Sequence, residues 1–243
     1  MSQQTFVIGD IHGALKAVEE LLSIIRPKGG DKLIFLGDYV DGWSQSAQVI
    51  DYLLTLSDHY ECIFIKGNHD AWCEQWLQGK GADKTWLFHG GKGTIKSYEG
   101  YSKAHLKEHE EFFNRLQHYH VDGDNRLFIH AGFSSMQGPA HERDETNCYW
   151  DRSLWEMAVT MDSRITKDSK LYPKRLLLFS EIFIGHTPTL YFGEQVPMQG
   201  GNVWNIDTGA AFTGKLTAMN VKTKEYLQTR KVQELYPQEK GRN

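Results

Sequence analysis

Short apolar runs alternate with amphipathic stretches through the first seventy residues, and the apolar runs end on small polar clusters that open with glycine. Thr5–Ile8 is a β-branched and aromatic run and predicts a strand. Ala14–Ile25 carries Leu15, Val18, Leu22 and Ile25 at helical spacing before Pro27 and Gly29-Gly30 stop it. The unit repeats: Lys32–Leu36 predicts a strand, Gln45–Leu56 a helix with Ala47, Ile50 and Leu54 on one face, and Cys62–Ile65 a third strand. Successive β-α units predict a parallel or mixed sheet with right-handed crossovers, which sets the loops along one edge. Ligands bind there in open α/β sheets, at the carboxyl ends of strands.

Farther along, Trp86–Tyr98 is glycine-rich, Ala104–Leu116 predicts an amphipathic helix and Arg126–Ile129 a strand. Leu176–Ile184 is a long apolar run, and Val203–Ile206 and Lys215–Val221 predict late strands joined through Asp207-Thr208-Gly209. No repeat or low-complexity linker interrupts the sequence, so residues 1–243 read as one domain, with a charged tail from about 228 to 243 expected to fray.

Composition narrows the class without naming the chemistry. With 24% charged residues, 40% apolar residues and a formal charge of −4, the sequence lacks the basic excess of a nonspecific nucleic-acid binder, and no nucleic-acid partner is expected. The start Met1-Ser2-Gln3-Gln4 lacks the basic and apolar regions of a signal peptide, and no run reaches transmembrane length, so no membrane partner is expected. Cys62, Cys73 and Cys148 form no Cys-x-x-Cys pair. A reducing cytoplasm is the expected setting.

The candidate chemistry lies in five clusters: Gly9-Asp10-Ile11-His12-Gly13, Gly37-Asp38-Tyr39-Val40-Asp41, Gly67-Asn68-His69-Asp70, His130-Ala131-Gly132 and Gly185-His186-Thr187. One such cluster alone reads as a turn with a capping Asp. Together they offer enough oxygen and nitrogen donors for two metal ions, with a histidine left for proton transfer. The glycine-rich tract lacks the order of a nucleotide P-loop.

In this order the clusters resemble the calcineurin-like metallophosphoesterases, most closely the phosphoprotein phosphatase branch and its bacterial serine/threonine phosphatases, over about Phe6 to Val221. The Trp86–Tyr98 tract and Ile206-Asp207-Thr208-Gly209 also resemble bacterial phosphatases and symmetrical diadenosine tetraphosphatases. The resemblance implies an α/β fold of two mixed sheets packed as a sandwich and flanked by helices in four layers. Carried over by motif, it assigns one metal to Asp10, His12 and Asp38, and a second to Asp38, Asn68, His130 and His186. A carboxylate shared at Asp38 can hold two cations roughly 3.5–4 Å apart, where a bridging water loses its proton near neutral pH and becomes the nucleophile. Manganese is the metal first expected in vitro, and this mixed donor set also accepts iron or zinc. His69 is the expected general acid, oriented by Asp41.

The sequence departs from that branch in how it grips phosphate. Where an Arg-Gly pair usually follows the second cluster, Gly42-Trp43 stands here, and the residue before Gly67 is Lys66 instead of arginine. An ammonium supplies a point charge but no bidentate fork. Arg152, in Tyr149-Trp150-Asp151-Arg152, is the remaining candidate clamp, and Asp70 replaces the branch's usual glutamate.

Of the remaining residues, His105, His109, His118, His120 and His141 lack the strand-end glycine context and are expected at the surface or an interface. The Lys167, Lys170, Lys174 and Arg175 group is expected to be a solvated face, and Trp72, Trp76 and Trp86 to wall the pocket or core. The leading expectation is a dinuclear-metal-dependent phosphomonoester hydrolase of the serine/threonine phosphatase type, acting on a phosphoprotein or small phosphate ester. The alternatives are a symmetrical dinucleoside polyphosphate hydrolase and a noncatalytic metal-binding scaffold.

Overall fold

The computed structural model describes residues 3–242. Ten strands are found among them: β1 (Thr5–Ile8), β2 (Lys32–Phe35), β3 (Glu61–Phe64), β4 (Tyr119–Val121), β5 (Arg126–Ile129), β6 (Glu181–Ile184), β7 (Met198–Gly200), β8 (Val203–Asn205), β9 (Lys215–Asn220) and β10 (Tyr226–Lys231). They form two five-stranded sheets in the orders β10-β9-β1-β2-β3 and β4-β5-β6-β8-β7. The β1-β2-β3 and β5-β6-β8 pairings are parallel and the outer pairings antiparallel, so both sheets are mixed.

Strand periodicity explains the layering. Successive side chains point to opposite faces, so a strand covered on both sides must be apolar throughout. Val7, Ile34, Ile63 and Met219 of the first sheet meet Phe128 and Phe183 of the second, whose rings stack at 5.0 Å. Phe6, Ile8, Leu33 and Phe35 turn the other way, onto helices α1 (Leu15–Ile25) and α2 (Ser46–Ser57). The outer face of the second sheet, with Leu127, Ile129, Ile182 and Ile184, is covered by Leu154, Trp155 and Ala158 of the helix Ser153–Thr160. The order is helices, sheet, sheet, helices, as the resemblance implied.

The predicted strands and helices are present with ends shifted by a residue or two. The 176–184 run divides: only Glu181–Ile184 is strand, and Lys174–Leu177 is a 3₁₀ turn with Leu177 exposed. Two further expectations are corrected. The charged tail does not fray within the described residues: Tyr226–Lys231 pairs with β9, and Val232 and Tyr236 are buried. His109 is not at the surface; it is fully buried on the helix Lys103–Asn114, between the Tyr98 hydroxyl at 3.0 Å and the Asp51 carboxylate at 2.9 Å. Among the described residues no helix is long and apolar enough to cross a membrane, and the three cysteines are unpaired.

Candidate metal centre

The loops after β1, β2, β3, β5 and β6 converge at one edge, where the two sheets meet. They turn sharply enough to place four non-glycine residues at positive φ: His12 (53°), Asp38 (52°), Asp41 (70°) and His186 (68°). Such conformations cost of order 1–3 kcal/mol each and persist where the surroundings enforce them. Here the enforcement is close packing: a Cβ on Gly185 would lie 2.0 Å from Asp10 Oδ1, and one on Gly67 would lie 2.1 Å from Asp38 Oδ1. These glycines admit the carboxylates.

Asp10, His12, Asp38, Asn68, His130 and His186 are all buried and adjacent. His12 Nε2 lies 3.9 Å from Asp10 Oδ2 and 3.5 Å from Asp38 Oδ2, and His130 Nε2 lies 3.5 Å from the same Asp38 oxygen. Asn68 Oδ1 is 3.2 Å from His130 Nε2 and 3.0 Å from His186 Nδ1. The outer nitrogens of two of these rings face backbone carbonyls, His12 Nδ1 at Asp41 O (2.8 Å) and His130 Nδ1 at Leu36 O (2.8 Å). A carbonyl only accepts, so each Nδ1 carries a proton and each ring turns its Nε2 toward the Asp38 oxygen. Among the described residues, Asp10 Oδ1 and His186 Nε2 are buried and make no hydrogen bond.

Two groups of side chains here have the spacing to hold a cation each. His12, Asp38 and His69 form one group, and Asp38, His130 and His186 another, with ligand atoms in each within 4.8 Å of one another. Asp38 belongs to both. The electrostatics agree: burial first, and then the Asp207 carboxylate, push Asp10 well above the ordinary carboxylate range. Burial alone would lower His130, but the Asp38 and Asp10 carboxylates outweigh it and push the imidazole up to about 10. Burial works against the Asp38 carboxylate as well, yet His130 and His69 hold it well below its ordinary value. Carboxylates buried this close together are stabilised in their charged form by positive charge between them.

His69 is also paired, through its other side, with Asp41. His69 opens α3 (Asn68–Leu77), where its backbone N–H donates to Asp38 Oδ1 at 3.0 Å, and its Nδ1 lies 2.6 Å from Asp41 Oδ2. The Asp41 carboxylate also accepts from Trp86 Nε1 (2.6 Å) and Thr94 Oγ1 (2.5 Å). Burial pushes Asp41 up to about 8 and His69 down to about 3, both toward their neutral forms. The 2.6 Å contact takes one proton between Oδ2 and Nδ1, which leaves Nε2 as the end of the His69 ring able to donate. The glycine-rich tract has its role here, since Trp86 and Thr94 hold the carboxylate.

A small pocket reaches this centre, with Asp38, Asn68, His69 and His186 in its floor and Arg152 and Tyr191 among its walls. Arg152 donates to Thr187 Oγ1 at 3.3 Å. Lys66 is not brought to it: its Nζ pairs with Glu74 at 2.7 Å in a nearly buried ion pair. Asp70 sits beneath the site, its carboxylate accepting from the backbone N–H groups of Asp38 (2.8 Å), Tyr39 (2.9 Å) and Gly67 (2.8 Å). It ties the second cluster to the third. Sequence reasoning marked Asp70 only as a departure from glutamate and gave Asp207 no role. The signal for both was their place in glycine-bearing strand-end motifs.

Fold and site define a metal-dependent phosphoesterase architecture, and the chain belongs to the calcineurin-like phosphoesterases, whose family model matches residues 4–208. Among its relatives is bis(5'-nucleosyl)-tetraphosphatase PrpE, asymmetrical, of Oceanobacillus iheyensis, 29% identical over 236 residues that cover 91% of this chain and 90% of the relative. The PrpE of Geobacillus thermodenitrificans is 29% identical over 228 residues, 88% of each chain. Of solved structures, one described as a candidate diadenosine tetraphosphatase superposes with a TM-score of 0.66 at 16% identity, over 94% of both chains. A serine/threonine phosphatase from Saccharomyces cerevisiae superposes with a TM-score of 0.60 at 16% identity, over 90% of this chain and 73% of that one.

Proposed function

We propose that this chain hydrolyses a dinucleoside tetraphosphate, cleaving one phosphoanhydride asymmetrically to a nucleoside triphosphate and a nucleoside monophosphate. The observation that carries the reading is an aromatic cluster beside the pocket, whose own lining adds Tyr191 and Phe212. Trp150, 41% exposed, meets the His186 ring edge-on at 6.2 Å and Trp72 at 5.1 Å, and Trp72 in turn packs on His69 and lies parallel to His89. A phosphoserine side chain has no use for such a cluster, whereas a nucleobase stacks on one. The PrpE relatives, matched over nearly their whole length, support the same substrate class. The unpaired cysteines fit a cytoplasmic enzyme.

In this reading Asp10, His12 and Asp38 hold one cation, and Asp38, Asn68, His130 and His186 hold the other. Cations bound there supply Lewis acidity toward phosphoryl oxygens and bring the pKa of water toward neutrality. The residues of the chain do the rest. Arg152 pairs with a nonbridging phosphate oxygen and fixes the phosphorus over the centre. Water attacks in line, one P–O bond forming as the anhydride P–O bond opposite breaks. His69 donates its Nε2 proton to the departing oxygen, and the proton shared with Asp41 settles on Nδ1.

The test is turnover of diadenosine tetraphosphate, a phosphoserine peptide and nitrophenyl phosphate by one manganese-loaded preparation, with products separated by chromatography. ATP with AMP is the expected outcome, and two ADP would mean symmetrical cleavage. Phosphopeptide turnover without dinucleotide turnover would return the protein phosphatase reading. If all three substrates stand untouched, the scaffold reading holds.

A further inference from the structure

The sequence lacks the arginine that its branch places after the second cluster, and the structure shows what fills the space. Gly42 has φ +133°, and a Cβ on it would meet His12 O at 3.0 Å, His12 Cβ at 3.2 Å and Arg242 Cγ at 3.4 Å. The next two residues anchor the C-terminal segment. Trp43, fully buried, stacks on Tyr236 at 5.1 Å and donates Nε1–H to Ala210 O at 2.7 Å. Ser44 donates from its backbone N–H and its hydroxyl to the Glu239 carboxylate at 3.0 and 2.7 Å. Gly241 passes against the Trp43 indole, where a Cβ would come within 2.9 Å of the ring, and the Arg242 N–H closes the path on Ala211 O at 2.8 Å. Gly42-Trp43-Ser44 is the seat of residues 236–242.

We propose that Arg242 is a substrate-binding residue, delivered by this segment to contact the phosphate from the side that a residue at position 42 would otherwise have served. Arg242 lines the same pocket as His69, Arg152 and His186. Its Nε is buried without a hydrogen-bond partner among the described residues. Among the described residues its guanidinium enters no ion pair; its neighbour is the Phe212 ring, 5.4 Å from Cζ to centroid. A guanidinium with a buried N–H left unpaired is costly, and an anion in the pocket removes that cost. Phosphate suits the planar fork, which binds it through two parallel hydrogen bonds. With Arg152 also in the walls, the pocket presents two guanidinium groups, as a substrate with several phosphates requires.

The inference rests on the pocket receiving a phosphoryl group, whichever ester or anhydride is cleaved. It is tested by binding of inorganic phosphate to metal-loaded full-length protein by calorimetry, alongside KM and kcat for nitrophenyl phosphate. Arg242→Ala should weaken phosphate binding by about 10- to 100-fold and raise KM in step, with the metal content unchanged. Arg242→Lys should recover only part of the affinity, and millimolar guanidinium should restore much of what Arg242→Ala loses. Phosphate affinity and KM of Arg242→Ala within twofold of wild type would overturn the proposal. So would a lowered melting temperature with intact phosphate affinity, which marks a structural arginine. Phosphate binding needs no turnover, so absence of dinucleotide hydrolysis in the wild type would leave this result readable.

Discussion

His69 Nδ1 lies 2.6 Å from Asp41 Oδ2, although 28 residues separate the two in the chain. Asp41 is a fixed partner: its carboxylate is fully buried and held from the other side by Trp86 and Thr94. The imidazole is therefore oriented before substrate arrives, with Nε2 as its free end.

His69→Asn should lower kcat by about 10²- to 10⁴-fold on an alkyl phosphate, whose leaving oxygen needs a proton, and by less on nitrophenyl phosphate, whose leaving group does not. Metal content should stay at two ions per chain. His12, Asp38 and His69 are close enough to hold one ion together, so equal losses on both substrates with a lower metal content would make His69 a ligand instead. Rates on the two esters and elemental analysis of the same preparations decide it.

Gly185→Ala should cost metal without unfolding the protein. The new methyl would stand 2.0 Å from Asp10 Oδ1, so the carboxylate must swing away from the centre. Bound metal per chain is expected to fall from two toward one, read by elemental analysis, with far-ultraviolet circular dichroism unchanged.

Asp70→Ala should destabilise the fold as well as the site. Three buried backbone N–H groups would lose their acceptor, and each unsatisfied donor costs about 1–3 kcal/mol. Urea unfolding is expected to show a loss of about 3 kcal/mol or more. A loss under 1 kcal/mol would mean that water replaces the carboxylate.

His109 should make stability depend on pH. Burial outweighs the nearby Asp51 carboxylate and lowers its pKa in the folded state. Above about pH 6.5 the ring is neutral in folded and unfolded chains alike; below it the unfolded chain takes up a proton that the folded one refuses, so stability falls with pH. His109→Gln should be less stable than wild type at pH 7.5, having lost bonds to Tyr98 and Asp51, and the gap should narrow at pH 5.5. A gap that is constant or widens would refute the assignment.

What could be read from the sequence followed from local rules. Alternating apolar positions gave the strands their two buried faces, helical spacing placed α1 and α2, and glycine at the strand ends marked the loops. That Asp10, His12, Asp38, Asn68, His130 and His186 come together was legible for the same reason: parallel β-α units bring their loops to one edge wherever the sheet forms. His109 was misread because the helix carrying it looks amphipathic, with no local sign that Asp51 and Tyr98 stand opposite.

The sequence by itself determined the β-α order, the donor types at the strand ends and the missing arginine at Gly42. Tertiary structure alone decided that Asp70 would tie two loops together, that Trp86 and Thr94 would hold Asp41, and that the segment ending at Arg242 would dock on Trp43 and reach the pocket. The physical reason is range. Strand alternation and glycine turns act within a few residues, whereas those contacts join segments about 30 to 200 residues apart, and only the packed fold sets them.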